Sequence, residues 1–234
     1  MMAATLAQGV TVLTNVAKEP EIIDLADMLN SMGADIKGAG TDEITIKGVN
    51  ELFGTSFTIP ADRIEAGTYL VAAAVTNGSI TIDSINPNRL MKVINMIERS
   101  GPKISFDDNS ISISMNKDRP DPVDITTAPF PEFPTDMQAQ FSVINAISSG
   151  VSNIYETVFE NRFMHILELN RMGCDIEVKG NHAIIKGVES IYGAEVMATD
   201  LRASASLILA GLCAKGETVV DRIYHIDRGY ERIE

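Results

Sequence analysis

Met32-Gly33-Ala34-Asp35-Ile36 returns 140 residues later as Met172-Gly173-Cys174-Asp175-Ile176. Between them lies a worn copy, Ser100-Gly101-Pro102-Lys103-Ile104, so the three glycines stand 68 and 72 residues apart. Self-similarity at a fixed step marks a repeat architecture and governs the reading of every element within it. A second set of glycines keeps the same step. Gly9, Gly78, Gly150 and Gly216, spaced 69, 72 and 66 apart, each close an apolar, Ala-rich segment. Each then opens a β-branched run: Thr11-Val12-Leu13, Ser79-Ile80-Thr81-Ile82, Ser152-Asn153-Ile154 and Thr218-Val219-Val220. Second strands follow the first set of glycines at residues 44–49, 110–115 and 183–188. Two of these end in the same Lys-Gly-Val, at Lys47 and Lys186.

Each unit therefore reads helix A, glycine, strand, helix B, glycine, strand, turn, strand. The A helices are expected over residues 1–8, 64–76, 137–148 and 201–215. They are apolar nearly all round, which predicts burial on every side. The B helices are expected over residues 20–32, 87–99 and 162–172, with a fourth starting near Gly229. They keep a polar face, as where Asp24 and Asp27 alternate with Ile23, Leu25 and Met28. Pro20 and Pro87 suit a first helical turn, where no N–H is needed. Asp62 with Glu65 three residues on reads as a capping box. Residues 116–133 form a Pro-rich connector. The fold class that follows is α+β, built of α/β repeats with helices buried beneath small sheets. On this count residue 1 falls at the start of an A helix and residue 234 stops inside a B helix. Two whole units are then expected between two cut ones.

With 234 residues, 45% of them hydrophobic, and a net charge of −13, the composition is that of a globular protein and too apolar for disorder. Residues 203–214 are an uncharged, largely apolar run of about 12, and no apolar run reaches the roughly 20 that a membrane-spanning helix needs. The first residues carry no basic stretch, so no leader and no membrane association are expected. The acidic balance argues against nucleic acid, which calls for a basic face. Cys174 and Cys213 lack metal-ligand spacing and read as reduced residues of a cytoplasmic protein, with Cys213 in the core. His165, His182 and His225 fall in separate units, His182 in a turn over residues 179–182. No glycine-rich phosphate loop and no serine elbow is present. No metal and no cofactor is expected.

The polar residues that recur with the repeat are the chemical candidates. Asp62, Asp136 and Asp200 each stand at the start of an A helix. One reading is N-capping, in which the carboxylate accepts free N–H groups of the first turn. The other is convergence of buried helix N-termini on an anion. Arg63 and Arg202 follow two of these starts. The turns leading into the B helices carry Arg162, within residues 156–165, and Arg222 and Arg228, within residues 221–232. Arginines at equivalent turns can converge on one phosphate or carboxylate, or can form surface salt bridges. The residues alone stop at a repeat-built α/β domain that binds an anionic small molecule.

Four stretches go further. Thr135-Asp136-Met137-Gln138-Ala139-Gln140-Phe141 is one, and Glu156-Thr157-Val158-Phe159-Glu160-Asn161-Arg162-Phe163-Met164-His165 is another. The others are Ala198-Thr199-Asp200-Leu201-Arg202-Ala203-Ser204-Ala205 and the stretch from His225 to Glu234. In this order they closely resemble the UDP-N-acetylglucosamine 1-carboxyvinyltransferases of the enolpyruvyl transferase family. The resemblance implies an inside-out barrel of βαβαββ repeats with buried helices, six repeats forming two globes around a cleft. Residues 1–60 would then be a partial repeat of one globe, and residues 61–234 the three repeats of the other, the last one cut short. It implies transfer of enolpyruvate from phosphoenolpyruvate to the 3-hydroxyl of UDP-N-acetylglucosamine, the first committed step of peptidoglycan synthesis. By the same resemblance Asp136 is the base at the sugar hydroxyl and Val158 a backbone contact to the UDP-sugar. Arg162, Arg202 and Arg228 belong to the phosphoenolpyruvate site, with Arg228 also catalytic, and Asp200 and Glu19 are acidic residues near it. The family's reactive cysteine, its phosphoenolpyruvate-binding lysine–asparagine pair, its mobile loop and its uridine contacts match nothing here. This chain alone is accordingly expected to be an incomplete and inactive portion. A non-catalytic module that binds a partner chain or self-associates through an exposed interface, and the sister 3-phosphoshikimate 1-carboxyvinyltransferase, are the alternative readings.

Overall fold

The computed structural model describes residues 1–231 and 233. The chain divides into two compact units, Met1–Pro60 with Pro129–Pro131, and Ala61–Ala128 with Glu132–Glu234.

The first unit runs through a 3-10 turn (Met2–Leu6), β1 (Val10–Thr14), α1 (Pro20–Ser31), β2 (Asp35–Lys37) and β3 (Glu43–Lys47). Its antiparallel sheet has the order β1-β3-β2. Alternation along β3 sends Ile44 and Ile46 to one face, where they join Ala26, Leu29 and Ile36 in a small core. Pro20 begins α1, as expected.

The second unit opens with α2 (Arg63–Val75), β4 (Ser79–Asp83), α3 (Met91–Arg99), β5 (Lys103–Phe106) and β6 (Ser110–Ser114). It continues with β7 (Ile125–Thr126), α4 (Gln138–Ala146), β8 (Val151–Tyr155), α5 (Met164–Arg171), β9 (Asp175–Lys179) and β10 (His182–Lys186). It closes with β11 (Glu195–Met197), α6 (Leu201–Cys213) and β12 (Val219–Asp221). The strands form sheets ordered β4-β6-β5 and β7-β8-β10-β9, and a parallel pair β11-β12. Helices α2, α4 and α6 pack on one another, and every residue of α4 is buried. Helices α3 and α5 are amphipathic, with Val93, Ile94, Met96 and Ile97 inward on the first and His165, Ile166 and Leu169 on the second. The all-round apolar helices are thus the inner ones, with sheets packed against them, which is the inside-out arrangement expected. Phe141 of α4 meets Phe133 edge-on, ring centroids 4.9 Å apart.

The repeat is visible in hydrogen bonds. Gly48 N donates to Gly9 O at 2.9 Å and Val49 N to Thr5 O at 2.8 Å. Gly187 N donates to Gly150 O and Val188 N to Ala146 O, both at 2.8 Å. This is the reason for the recurring Lys-Gly-Val. A Cβ on Gly48 or Gly187 would collide with the carbonyl oxygen of Ala7 or Ser148. Asn30 spans the turn to Ile36, its amide donating to Ile36 O at 3.0 Å and accepting from Ile36 N at 2.9 Å. Asn170 does the same to Ile176, at 3.0 and 3.2 Å.

Several expectations need correction. The helix over residues 1–8 is only the short 3-10 turn; Thr5 alone is buried there, so no apolar face supports a longer helix. His182 is the first residue of β10, not part of a turn, and its ring stacks on Tyr155 at 4.2 Å. Cys174 is buried, but Cys213 lies at the rim of the core, half-buried. The proline-rich connector contains β7, which pairs in parallel with β8. A 3-10 helix, Ile223–Arg228, occupies the turn after which a fourth B helix was expected. The helix expected from Gly229 is not formed through Glu231, and Arg232 and Glu234 lie outside the described residues.

Candidate functional site

The three aspartates at the A-helix starts do different things. Asp62 caps α2, its Oδ1 accepting from Ile64 N at 2.7 Å and Glu65 N at 3.2 Å. Of the capping box, the Asp62 half is formed; Glu65, three residues on, has its carboxyl raised by burial and by the Asp62 charge. Asp200 caps α6 through Arg202 N at 2.8 Å and Ala203 N at 2.9 Å. Asp136 caps nothing. A 3-10 turn, Thr135–Met137, leads into α4, and no side chain caps either element. Both of its oxygens go to arginines instead: Oδ1 to Arg162 Nη2 at 2.6 Å, Oδ2 to Arg202 Nη2 at 3.0 Å.

Local structure places each arginine. Arg162 follows Asn161, which holds a φ of +57°, a left-handed conformation that asparagine tolerates. Its guanidinium lies 5.3 Å from the centre of the Phe159 ring, and its Nη1 donates to Thr135 Oγ1 at 2.8 Å. Arg202 projects from the first turn of α6, and its Nη1 reaches Tyr230 OH at 3.4 Å. Tyr230 OH bonds Thr68 of α2 at 2.8 Å, and Gln140 of α4 donates to that threonine at 3.1 Å. Polar links therefore tie all three inner helices to the site. Arg228 ends the 3-10 helix after β12.

These side chains line one cavity of about 300 Å³: Asp136, Phe159, Asn161, Arg162, Asp200, Leu201, Arg202 and Arg228. Three guanidiniums face two carboxylates there, so the cavity carries a local +1 on a chain of −13. Burial pushes the Asp136 carboxyl up, but the guanidiniums of Arg202 and Arg162 outweigh it and hold it below the usual carboxylate range. Behind the site His165 is wholly buried, its Nε2 3.2 Å from Ser142 Oγ. Burial drives it down to about 4, so it stands neutral.

Five of the seven site residues read from the sequence thus share one cavity: Asp136, Arg162, Asp200, Arg202 and Arg228. Val158 does not line it. Its side chain is exposed, and its N–H donates to Glu156 Oε1 at 2.8 Å. Glu19 belongs to the first unit, at the N-cap position of α1, where its Oε2 is buried without a hydrogen bond among the described residues. Thr135, Phe159 and Tyr230 hold the arginines and were not singled out in the sequence. All three fall inside the stretches that carry the family resemblance, which is the sequence signal they give.

The family described as EPSP synthase (3-phosphoshikimate 1-carboxyvinyltransferase) matches residues 1–234. The UDP-N-acetylglucosamine 1-carboxyvinyltransferase of Haemophilus ducreyi is 58% identical over the whole of this chain, which covers 55% of that protein. The Actinobacillus succinogenes protein of the same name is 57% identical, with 56% of its length covered. The chain spans about half the length of these curated relatives. Among solved structures, the enolpyruvyl transferase NikO from Streptomyces tendae superposes with a TM-score of 0.85 at 26% identity, covering 97% of this chain and 54% of that one. The EPSP synthase of Acinetobacter baumannii superposes at 0.70 and 19% identity over 98% of this chain and 56% of its own, a likeness of fold.

Proposed function

The chain belongs to the EPSP synthase family, and on that premise we propose that it supplies one wall of an enolpyruvyl-transfer site acting on UDP-N-acetylglucosamine. The observation that carries this reading is the uncapped Asp136 held between two arginines in a cavity that a third lines.

The donor, phosphoenolpyruvate, has a carboxylate and a phosphate. Arg162, Arg202 and Arg228 suit those groups, since guanidiniums bind planar and tetrahedral oxyanions in pairs of hydrogen bonds. They also balance charge as it moves onto the departing phosphate. Asp136 accepts the proton of the sugar 3-hydroxyl as that oxygen bonds to the enol carbon and phosphate leaves. While both guanidiniums sit on it, Asp136 is ionised but a weak base. An anion that draws the arginines to itself raises its basicity at the moment a proton must be taken. Asp200 shapes the cavity wall as the cap of α6, and the backbone at Val158 is assigned to the UDP-sugar. The product would enter peptidoglycan synthesis, in the cytoplasm.

The test supplies this chain with the portion of the Haemophilus ducreyi relative that it does not cover. Phosphate release from phosphoenolpyruvate is then followed with UDP-N-acetylglucosamine and, separately, with shikimate 3-phosphate. Release with the nucleotide sugar alone is the expected result. Release with shikimate 3-phosphate alone would move the reading to the sister activity, and release with neither would end both.

A further inference from the structure

Glu156 carries a buried carboxylate that the proposed reaction does not use. It is 3% exposed and accepts four hydrogen bonds, none of them from a cation among the described residues. Oε1 accepts from Thr127 Oγ1 at 2.7 Å, Val158 N at 2.8 Å and Phe159 N at 3.0 Å. Oε2 accepts from Thr135 Oγ1 at 2.7 Å. A buried carboxylate is costly unless its lone pairs are filled, and here neutral donors fill them.

What the carboxylate does follows from proton counting. A threonine hydroxyl has one proton to give. Thr135 gives it to Oε2, so its remaining lone pairs are acceptors, and Arg162 Nη1 donates to that oxygen at 2.8 Å. Arg162 Nη2 bonds the next residue, Asp136, at 2.6 Å. Two terminal nitrogens of one guanidinium are thus fixed to two consecutive residues. The other carboxylate oxygen holds the N–H groups of Val158 and Phe159, and the Phe159 ring backs the same guanidinium at 5.3 Å.

We infer that Glu156 is a positioning residue for the anion site. Through the Thr135 hydroxyl it directs a lone pair at Arg162, and through the backbone of residues 158–159 it places the ring behind that guanidinium. The meaning of the site rests on the proposed function, but the geometry of this relay does not.

The experiment reads Asp136, the neighbour that Arg162 holds. The side-chain carboxyl carbon of Asp136 is titrated by carbon-13 NMR in the 234-residue chain without ligand, its signal assigned with Asp136→Asn. The charged groups facing it are Arg162 and Arg202 directly and Arg228 and Asp200 from the cavity wall. Thr135→Val removes the hydroxyl, keeps the side chain's shape and leaves Glu156 three of its four hydrogen bonds. It is expected to raise the midpoint at which Asp136 takes up a proton, because Arg162 loses its second anchor. Thr135→Ser should restore the parent midpoint, and Asp107, whose carboxylate is held by Asn109 N at 2.8 Å, should not move in either. Glu156→Gln is expected to act like Thr135→Val; if it fails to fold, Thr135→Val decides alone. A folded Thr135→Val with the parent midpoint overturns the relay. So does a rise that Thr135→Ser fails to reverse, since that would be general loosening. No substrate enters the measurement, so its failure leaves the proposed reaction standing, and absence of turnover leaves the relay standing.

Discussion

Replacing Asp136 by alanine should tighten anion binding and slow the chemistry, an unusual pairing that follows from its position. The cavity holds Arg162, Arg202 and Arg228 against Asp136 and Asp200, so deleting one carboxylate takes its formal charge from +1 to +2. Take about 5 Å as the separation between the Asp136 carboxylate and a unit of anionic charge held by the same guanidiniums. At an effective dielectric constant of about 20 that repulsion is about 3 kcal/mol. The Asp136 side chain is 38% exposed, so solvent screening brings it to roughly 1.5 kcal/mol, or about tenfold in affinity. Titration calorimetry of inorganic phosphate and of phosphoenolpyruvate against parent and Asp136→Ala chains, at one fixed ionic strength, reads that ratio. In the chain supplied with the rest of a relative, turnover should fall by roughly a hundredfold to ten-thousandfold, the scale of a lost general base. Unchanged or weaker phosphate affinity in Asp136→Ala would refute the view that the carboxylate competes with the anion for the arginines. Near-normal turnover would refute its role as base.

Two further outcomes test the surroundings. His165 is pushed down to about 4 from an ordinary 6.5 by burial, so the unfolded chain binds its proton first as pH falls. Stability from this group is complete above about pH 6.5 and declines toward pH 4, by about 3 kcal/mol in all. Urea midpoints at pH 7 and pH 4.5 should therefore differ less in His165→Gln than in the parent, and an equal difference would show that another group governs the acid limb. Asn170→Ala removes both hydrogen bonds to Ile176 and should cost about 2 kcal/mol in denaturant unfolding. A loss below about 0.5 kcal/mol would mean that the Asn170 bridge is not needed to hold the strand.

The fold was legible because the repeat writes each signal three or four times. The Lys-Gly-Val copies at Lys47 and Lys186 end in the same backbone hydrogen bonds, and the all-apolar helices are the buried ones. Where the reading failed, local pattern was overruled by packing. Residues 1–8 look helical, but the structure gives their apolar side chains little to bury against: Met2 and Leu6 are both exposed. The asparagine bridges were missed because Asn30 and Asn170 look like ordinary polar positions on helices. In the site, spacing marked Asp136, Asp200, Arg162, Arg202 and Arg228 as candidates beside Asp62, Arg63 and Arg222, and the family resemblance chose among them. Thr135 and Glu156 could not. Their part depends on which oxygen a hydroxyl proton faces, and a one-letter code does not record that.

Asp62, Asp136 and Asp200 occupy one place in three repeats, and one device is open to all of them, an acid that caps the start of a buried helix. Two perform it, each taking two backbone N–H groups. In the third copy a 3-10 turn replaces the capped start, and the carboxylate is released to side chains from two other elements. Capping is worth about 1 kcal/mol, so its loss in one copy asks for a compensating gain. Pairing with Arg162 and Arg202 supplies part of it, and Glu156, by filling its own lone pairs with neutral donors, keeps Arg162 turned toward that pair. Local consistency holds at Asp62 and Asp200, which cap their helices, and breaks at Asp136, which instead pairs with two arginines in the cavity that Asp200 also lines. In a chain made of repeats, the site is found where one copy stops doing what its siblings do.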